Sequence, residues 1–358
     1  MTTQTANRKT PAAASILIIL MGSLGDVARG LCLVSHIKDH LPDSRVSWLI
    51  EARRTDMVSF HPQLDNVIVF DRSKGASGVR GLYRALRRMH FDIALDLQRI
   101  FKSGVFSLLS GAQRRIGFHR RNTKELNWLF NNEYIPYFRE DLSKLDHYLK
   151  FTEHLGLSVP ENLEFGFKNL DVNRMAPPAV VEIQNKFIAV VMGSSWESKD
   201  WHFEGYCKFV QSILKNQNRP VVLLGGNSQK PFAERLVEKI NSQRVIDLTG
   251  NSLLEMTAVL KAAAAAVGPD SGPGHLAAAV GTPYVTLFGP TPAGRHAPYG
   301  CEHLIVQSDL NCVPCYKKQC PDRNKQCMQN IEVDQVVEKI TSALGSLPVD
   351  DDDITEFT

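Results

Sequence analysis

The chain has 358 residues, 43% hydrophobic and 22% charged, with a formal net charge of +3. This balance excludes disordered, collagen-like and fibrous classes, and so small a net charge gives no argument for nucleic acid as a partner. At roughly 100–200 residues per domain, the length implies two domains, each able to bury its own core.

Residues 1–13 read as a flexible tail. Arg8, Lys9 and the apolar stretch that follows have the outline of a secretory leader, but residues 16–20 run directly into a Gly-rich turn and Asp26, as a buried first strand does. No A-x-A-like cleavage site follows. A helix is expected over 26–40, strands at 46–50 and 66–70, a basic helix over 79–89 and a short apolar run at 93–97. Residues 72–124 hold thirteen Lys/Arg against only Asp92 and Asp96. A basic face in a nearly neutral protein suits an anionic partner, although a solvated helix surface reads the same way.

Between 157 and 178 the rhythm is lost, with Pro160, Pro177 and Pro178, so the connection between domains is placed there. The pattern restarts with a strand at 187–192, a helix over 203–215 and a strand at 221–224 closed by Gly225 and Gly226. A helix over 258–266, a strand at 284–288 and a final helix over 333–344 follow, before the acidic run of Asp350, Asp351, Asp352 and Asp353. Strands separated by helices of this length pair in parallel through right-handed crossovers. The fold class is α/β in two successive halves. No run approaches the roughly 20 apolar residues of a transmembrane helix, so a cytoplasmic or peripheral protein is expected.

Four of the seven cysteines cluster as Cys312, Cys315, Cys320 and Cys327. The spacing C-x2-C-x4-C-x6-C admits a tetrahedral zinc, but lacks two separated C-x2-C knuckles. A reduced or disulfide-bonded loop is the favoured reading.

In open parallel sheets, ligands bind beyond the carboxyl ends of strands. Three segments there carry small or polar residues. Met21-Gly22-Ser23-Leu24-Gly25-Asp26 permits a tight turn before a helix; Asp26 is either an N-cap or a catalytic carboxylate. Gly193-Ser194-Ser195-Trp196-Glu197-Ser198-Lys199-Asp200-Trp201 ends a strand in hydroxyls with a lysine beyond, which suits phosphate oxygens. Asp270-Ser271-Gly272-Pro273-Gly274-His275 opens a small-residue helix whose amides suit a diphosphate. None of these is G-x-G-x-x-G, so no dinucleotide cofactor is indicated, and no other cofactor is expected.

Together the motifs S-L-G-D, G-S-S-x-x-S-K-x-W and D-S-G-P-G-H-L-A-A-A, with Leu287-Phe288-Gly289-Pro290-Thr291 and the trailing cysteine-rich loop, resemble glycosyltransferase family nine, the ADP-heptose:lipopolysaccharide heptosyltransferases. The resemblance implies a GT-B fold, two facing Rossmann-like domains with the active site in the interdomain cleft. Residues 14–172 would bind the acceptor and 180–330 the nucleotide sugar; 331–347 would form a helix packing back on the first domain, and 348–358 an acidic tail. It further implies an inverting transfer of heptose from ADP-heptose to a lipopolysaccharide core acceptor at the cytoplasmic face of the inner membrane. Asp26 would be the general base, with Ser23 and Gly25 beside it on the acceptor side. Ser194, Ser195, Lys199, Asp270, Ser271, Gly272 and His275 would hold the donor. Arg114, Arg115, Arg120, Arg121 and Lys124 would meet the anionic acceptor or membrane surface. No D-x-D lies outside the terminal acid run, so no metal is expected at the diphosphate. One departure is that no acidic residue follows 221–224 to take the ribose. A transferase of the same fold using a UDP-sugar, an epimerase, or a silent sugar-nucleotide-binding protein are the rival readings.

Overall fold

The computed structural model describes residues 10–321 and 324–345. The acidic tail at 348–358 and all of the N-terminal tail before Thr10 lie outside the described residues. The chain divides into two compact units between Leu170 and Asp171.

The first unit holds six parallel strands: β1 (Ser15–Ile19), β2 (Arg45–Glu51), β3 (Asn66–Phe70), β4 (Ile93–Asp96), β5 (Arg114–Gly117) and β6 (Glu133–Tyr134). Their order is β3-β2-β1-β4-β5-β6. The principal helices are α1 (Leu24–Gly30), α2 (Cys32–His40), α3 (Gly75–Met89), α4 (Phe101–Ser110) and α5 (Lys144–His154). All five residues of β1 are buried, as an apolar run covered on both faces requires. On α3, Leu82 and Leu86 enter a core with Leu17, Ile19, Leu49 and Phe106, while Arg80, Arg84, Arg87 and Arg88 stay in solvent. The basic helix is therefore amphipathic.

The second unit repeats the plan with β7 (Ile188–Val191), β8 (Val221–Leu224), β9 (Val245–Asp247), β10 (Ala265–Pro269), β11 (Tyr284–Phe288) and β12 (Ile305–Gln307), in the order β12-β11-β10-β7-β8-β9. Its principal helices are α6 (Phe203–Ser212), α7 (Lys230–Ile240), α8 (Leu253–Ala262), α9 (Gly272–Ala279) and α10 (Val333–Gly345). Both sheets have the Rossmann-like strand order, with the reversal at β1/β4 in one and β7/β10 in the other. The segments singled out from sequence follow β1, β7 and β10. They therefore lie at the switch points where such sheets take ligands.

Two expectations are corrected. The helix expected over 26–40 is two helices, separated at Leu31. The helix expected over 258–266 ends at Ala262, because Ala265 and Ala266 pair with Ile188 and Ala189 in the sheet. The last helix, α10, buries Val336, Ile340 and Ala343 and packs on α6, β10, β11 and β12.

Candidate active site

In the first unit, Ser23 caps α1. Its hydroxyl accepts the Asp26 N–H at 3.3 Å and donates to Asp26 Oδ2 at 2.8 Å. Asp26 is thus the third residue of the helix, not its cap, which leaves its carboxylate for other partners. Oδ1 receives Arg29 Nη1 at 3.1 Å and Lys144 Nζ, from the start of α5, at 3.0 Å. The Tyr148 phenol hydrogen-bonds the same carboxylate. Burial pushes this carboxyl up, but the charges of Lys144 and Arg29 and the hydrogen bonds from Lys144 and Ser23 outweigh it. They hold its pKa well below the usual carboxylate range.

The turn carrying Asp26 is fixed from below. Gln98 Oε1 accepts the Met21 N–H at 3.1 Å, and the Gln98 N–H donates to Asp96 Oδ1 at 3.2 Å. Asp96 is fully buried and takes Asn127 Nδ2 at 2.6 Å. A Cβ at Gly22 would sit 3.2 Å from Asp26 Oδ2 and 3.3 Å from Gln98 Nε2, so the turn has room only for glycine without adjustment. Gly25 is buried as the second residue of α1.

The five basic candidates divide. Arg114 is not on the surface: its guanidinium grips Glu133 through Nε at 2.8 Å and Nη2 at 2.7 Å, and His154 Nε2 meets the same carboxylate at 2.8 Å. This bidentate pair joins β5, β6 and α5 and belongs to the fold. Arg115 donates to the carbonyls of Phe130 and Ala112, both at 3.0 Å, and is likewise committed to the backbone. Arg120, Arg121 and Lys124 are exposed. Arg114→Ala is accordingly expected to destabilise the protein by about 3 kcal/mol, the cost of stranding a buried carboxylate, with acceptor KM unchanged. Thermal melts and steady-state kinetics on one preparation check it. The Arg114 and His154 contacts hold the Glu133 pKa at about 2, below its unfolded value. That stability is fully present above the ordinary glutamate range and is lost as pH falls toward 2.

In the second unit the donor segments converge on one ion pair. Lys199 Nζ meets Asp270 Oδ2 at 2.6 Å and the Asp270 carbonyl at 3.3 Å, with side chains 12% and 6% exposed. Thr291 Oγ1 donates to the same Oδ2 at 2.7 Å. Burial raises the Asp270 carboxyl, but Lys199, His296 and these hydrogen bonds bring its pKa to about 2. Lys199 also lies 4.5 Å above the centre of the Trp196 ring. Ser194 closes its own turn, donating to the Trp196 carbonyl at 2.7 Å and accepting the Trp196 N–H at 3.1 Å; Ser195 is exposed.

Asp270 immediately precedes α9. Ser271 stands at the N-cap position without capping through its hydroxyl, and Pro273 supplies no N–H, so Gly272, Gly274 and His275 carry the forward amides. His275 itself is buried. Gly274 answers a packing demand, since a Cβ there would lie 2.6 Å from the Tyr284 ring. The ammonium of Lys199, held on the Asp270 carbonyl, therefore sits at the positive end of a helix. That combination attracts phosphate oxygens.

The cysteine-rich loop braces these segments. The carbonyls of Lys317 and Lys318 accept the Ser198 hydroxyl at 2.6 Å and its N–H at 3.2 Å, and the Tyr316 N–H reaches the Pro290 carbonyl at 2.8 Å. Cys312 is exposed, Cys327 is buried, and all four cysteines of the cluster are free thiols. Among the described residues, no group of three or more His, Cys, Asp or Glu is set to hold a metal ion.

Sequence reasoning missed Lys144, Tyr148 and Arg29 around Asp26. It matched Thr291 as part of a motif without giving it a role. Lys144 lies 118 residues from Asp26, and no local pattern marks it.

The family model for glycosyltransferase family 9 (heptosyltransferase) matches residues 79–326. The chain belongs to this family and is a glycosyltransferase. It is 27% identical over 343 residues to lipopolysaccharide core heptosyltransferase OpsX of Haemophilus influenzae, covering 92% of this chain and 96% of that protein. It is 26% identical over 317 residues to lipopolysaccharide heptosyltransferase 1 of Pseudomonas aeruginosa, covering 85% and 87%. Among solved structures, Escherichia coli heptosyltransferase WaaC with ADP matches with a TM-score of 0.75 at 20% identity, over 92% of this chain and 99% of that one. These likenesses agree with the two-unit Rossmann-like fold.

Proposed function

We propose that this enzyme transfers heptose from ADP-heptose to a lipopolysaccharide core acceptor with inversion at the anomeric carbon. The observation that carries the reading is the Lys199–Asp270 pair at the start of α9, assembled from two of the three family segments. Lys199 and the amides of Gly272, Gly274 and His275 would take the diphosphate, with Asp270 and Thr291 holding Lys199 in place. The named activities of the similar proteins support heptose as the sugar and the lipopolysaccharide core as acceptor.

The first unit would supply the base. The acceptor oxygen attacks the anomeric carbon as the bond to the diphosphate breaks, ADP leaves with the electron pair, and Asp26 takes the hydroxyl proton. Ser23 orients that carboxylate. A donor panel tests the reading: ADP-heptose is expected to be turned over in strong preference to UDP-sugars, and a preference for UDP-sugars would overturn it.

The acceptor would be met at an anionic membrane surface on the cytoplasmic side. Arg120, Arg121 and Lys124 are exposed there beside Leu126 and Leu129, themselves 59% and 57% exposed, and Arg121 stacks its guanidinium 5.8 Å from the Tyr137 ring. Cations interleaved with apolar side chains suit headgroups and the chains beneath them. No helix among the described residues is long and apolar enough to cross a membrane. Replacing Arg120, Arg121 and Lys124 together by Ser is expected to weaken binding to anionic vesicles about 100-fold, at about 1 kcal/mol per cation, with ADP-heptose affinity unchanged. Vesicle sedimentation at two salt concentrations and donor titration check this.

A further inference from the structure

The general base in this structure is saturated. Asp26 Oδ2 takes the Ser23 hydroxyl at 2.8 Å, and Oδ1 takes both Arg29 at 3.1 Å and Lys144 at 3.0 Å, with the Tyr148 phenol as a further donor. A carboxylate held by two cations and two hydroxyls is a poor proton acceptor until one partner leaves. Arg29 is 8% exposed and lies on the same helix as Asp26, three residues on. Lys144 is 29% exposed and reaches in from another helix on a flexible stem. It is the partner whose departure disturbs least.

Its position is unfavourable for a cation within its own helix. Lys144 is the first residue of α5, after the Ser143 cap, where the helix dipole disfavours a cation. A further cation, Arg54, from the turn Ala52–Arg54, lies within the field of Asp26. Its Nη1 is buried without a hydrogen-bond partner among the described residues, 4.0 Å from Glu51 Oε2. Glu51 is itself engaged by Lys102 at 2.9 Å and Arg53 at 3.3 Å. Two cations on one carboxylate, with an unfilled guanidinium donor of Arg54 in the field of the same group, suit an anion.

Resting on the function proposed above, we infer that Lys144 and Arg54 receive an anionic group of the acceptor, phosphate or carboxylate, and that this draws Lys144 off Asp26 and frees the base. Lys144 is then a positioning residue that couples acceptor charge to catalysis. A neutral acceptor would leave Asp26 clamped, so discrimination would appear in kcat and not only in KM.

The test uses the full chain, ADP-heptose, and two core acceptors that differ only in carrying or lacking the charged group. Wild type is expected to turn over the anionic acceptor with the higher kcat. Lys144→Met is expected to lose rate on the anionic acceptor and gain it on the neutral one, shrinking the kcat ratio about tenfold or more, as loss of a charge-assisted hydrogen bond implies. A merely structural lysine would slow both acceptors alike. Lys144→Arg is expected to keep the discrimination. Arg54→Met, which leaves the Lys144–Asp26 pair in place, is expected to raise KM for the anionic acceptor only. Equal losses on both acceptors in Lys144→Met, or an unchanged ratio, would overturn the inference while leaving the proposed transfer standing. Absence of transfer by wild type to either acceptor would overturn the transfer itself.

Discussion

Asp26→Asn is expected to lower transfer by about 10²–10⁴-fold while leaving ADP-heptose affinity nearly unchanged. The substitution keeps the shape of the side chain and removes its ability to take a proton. It does not touch the helix cap, which belongs to Ser23. It does strip Lys144 and Arg29 of their anionic partner, so a stability loss of about 2 kcal/mol accompanies it. That loss has a defined pH dependence. Because the folded-state pKa of Asp26 lies below its unfolded value, its contribution is fully present above the ordinary aspartate range and fades as pH falls below it. The melting temperatures of wild type and variant should therefore converge in acid. Near-normal turnover with the same stability loss would leave Asp26 as an ion-pair anchor only.

Lys199→Ala is expected to weaken ADP-heptose binding and slow transfer together, since the ammonium stands at the diphosphate in both ground and transition states. The structure adds a stability effect. Asp270 is 6% exposed and would keep only Thr291 and the field of His296, so about 3 kcal/mol should be lost. For a unit of this size that corresponds to roughly 6–12 °C in Tm. Because lost folding and lost catalysis are then mixed in one variant, a double replacement separates them. Lys199→Met with Asp270→Asn removes both charges, and is expected to recover much of the stability and none of the transfer. Calorimetric donor titration and melts on both variants give the answer. Recovery of transfer in the double variant would show that Lys199 serves only to neutralise Asp270.

Much of this was legible in the order of residues. The apolar runs at 16–20, 221–224 and 284–288 are buried on both faces, which is what an unbroken apolar run encodes, whereas β3 at the sheet edge buries only Ile68 and Phe70. β5 was not legible: Arg114-Arg115-Ile116-Gly117 reads as a basic loop until Glu133, nineteen residues on, is placed against Arg114. The same partner removes Arg114 from the acceptor surface, so one unseen ion pair hid both a strand and the role of a residue. The start of α8 at Leu253 was missed, with the helix expected only from 258, although Ser252 and Glu255 form the reciprocal capping box that marks it; the apolar run beyond also drew the end too far. At the site, local motifs located Asp26, Lys199 and Asp270. Of the cations that set the basicity of Asp26, Arg29 lies three residues on in the same helix, but Lys144 comes from a separate helix, and spacing within a motif carries no trace of it.

The most direct test incubates the purified chain with ADP-heptose and a heptose-deficient core acceptor, then determines product mass and anomeric configuration. The account predicts an acceptor heavier by one heptose, ADP released in equal amount, and the anomeric configuration inverted relative to the donor. Retained configuration, or ADP released with no heptose on the acceptor, would contradict it.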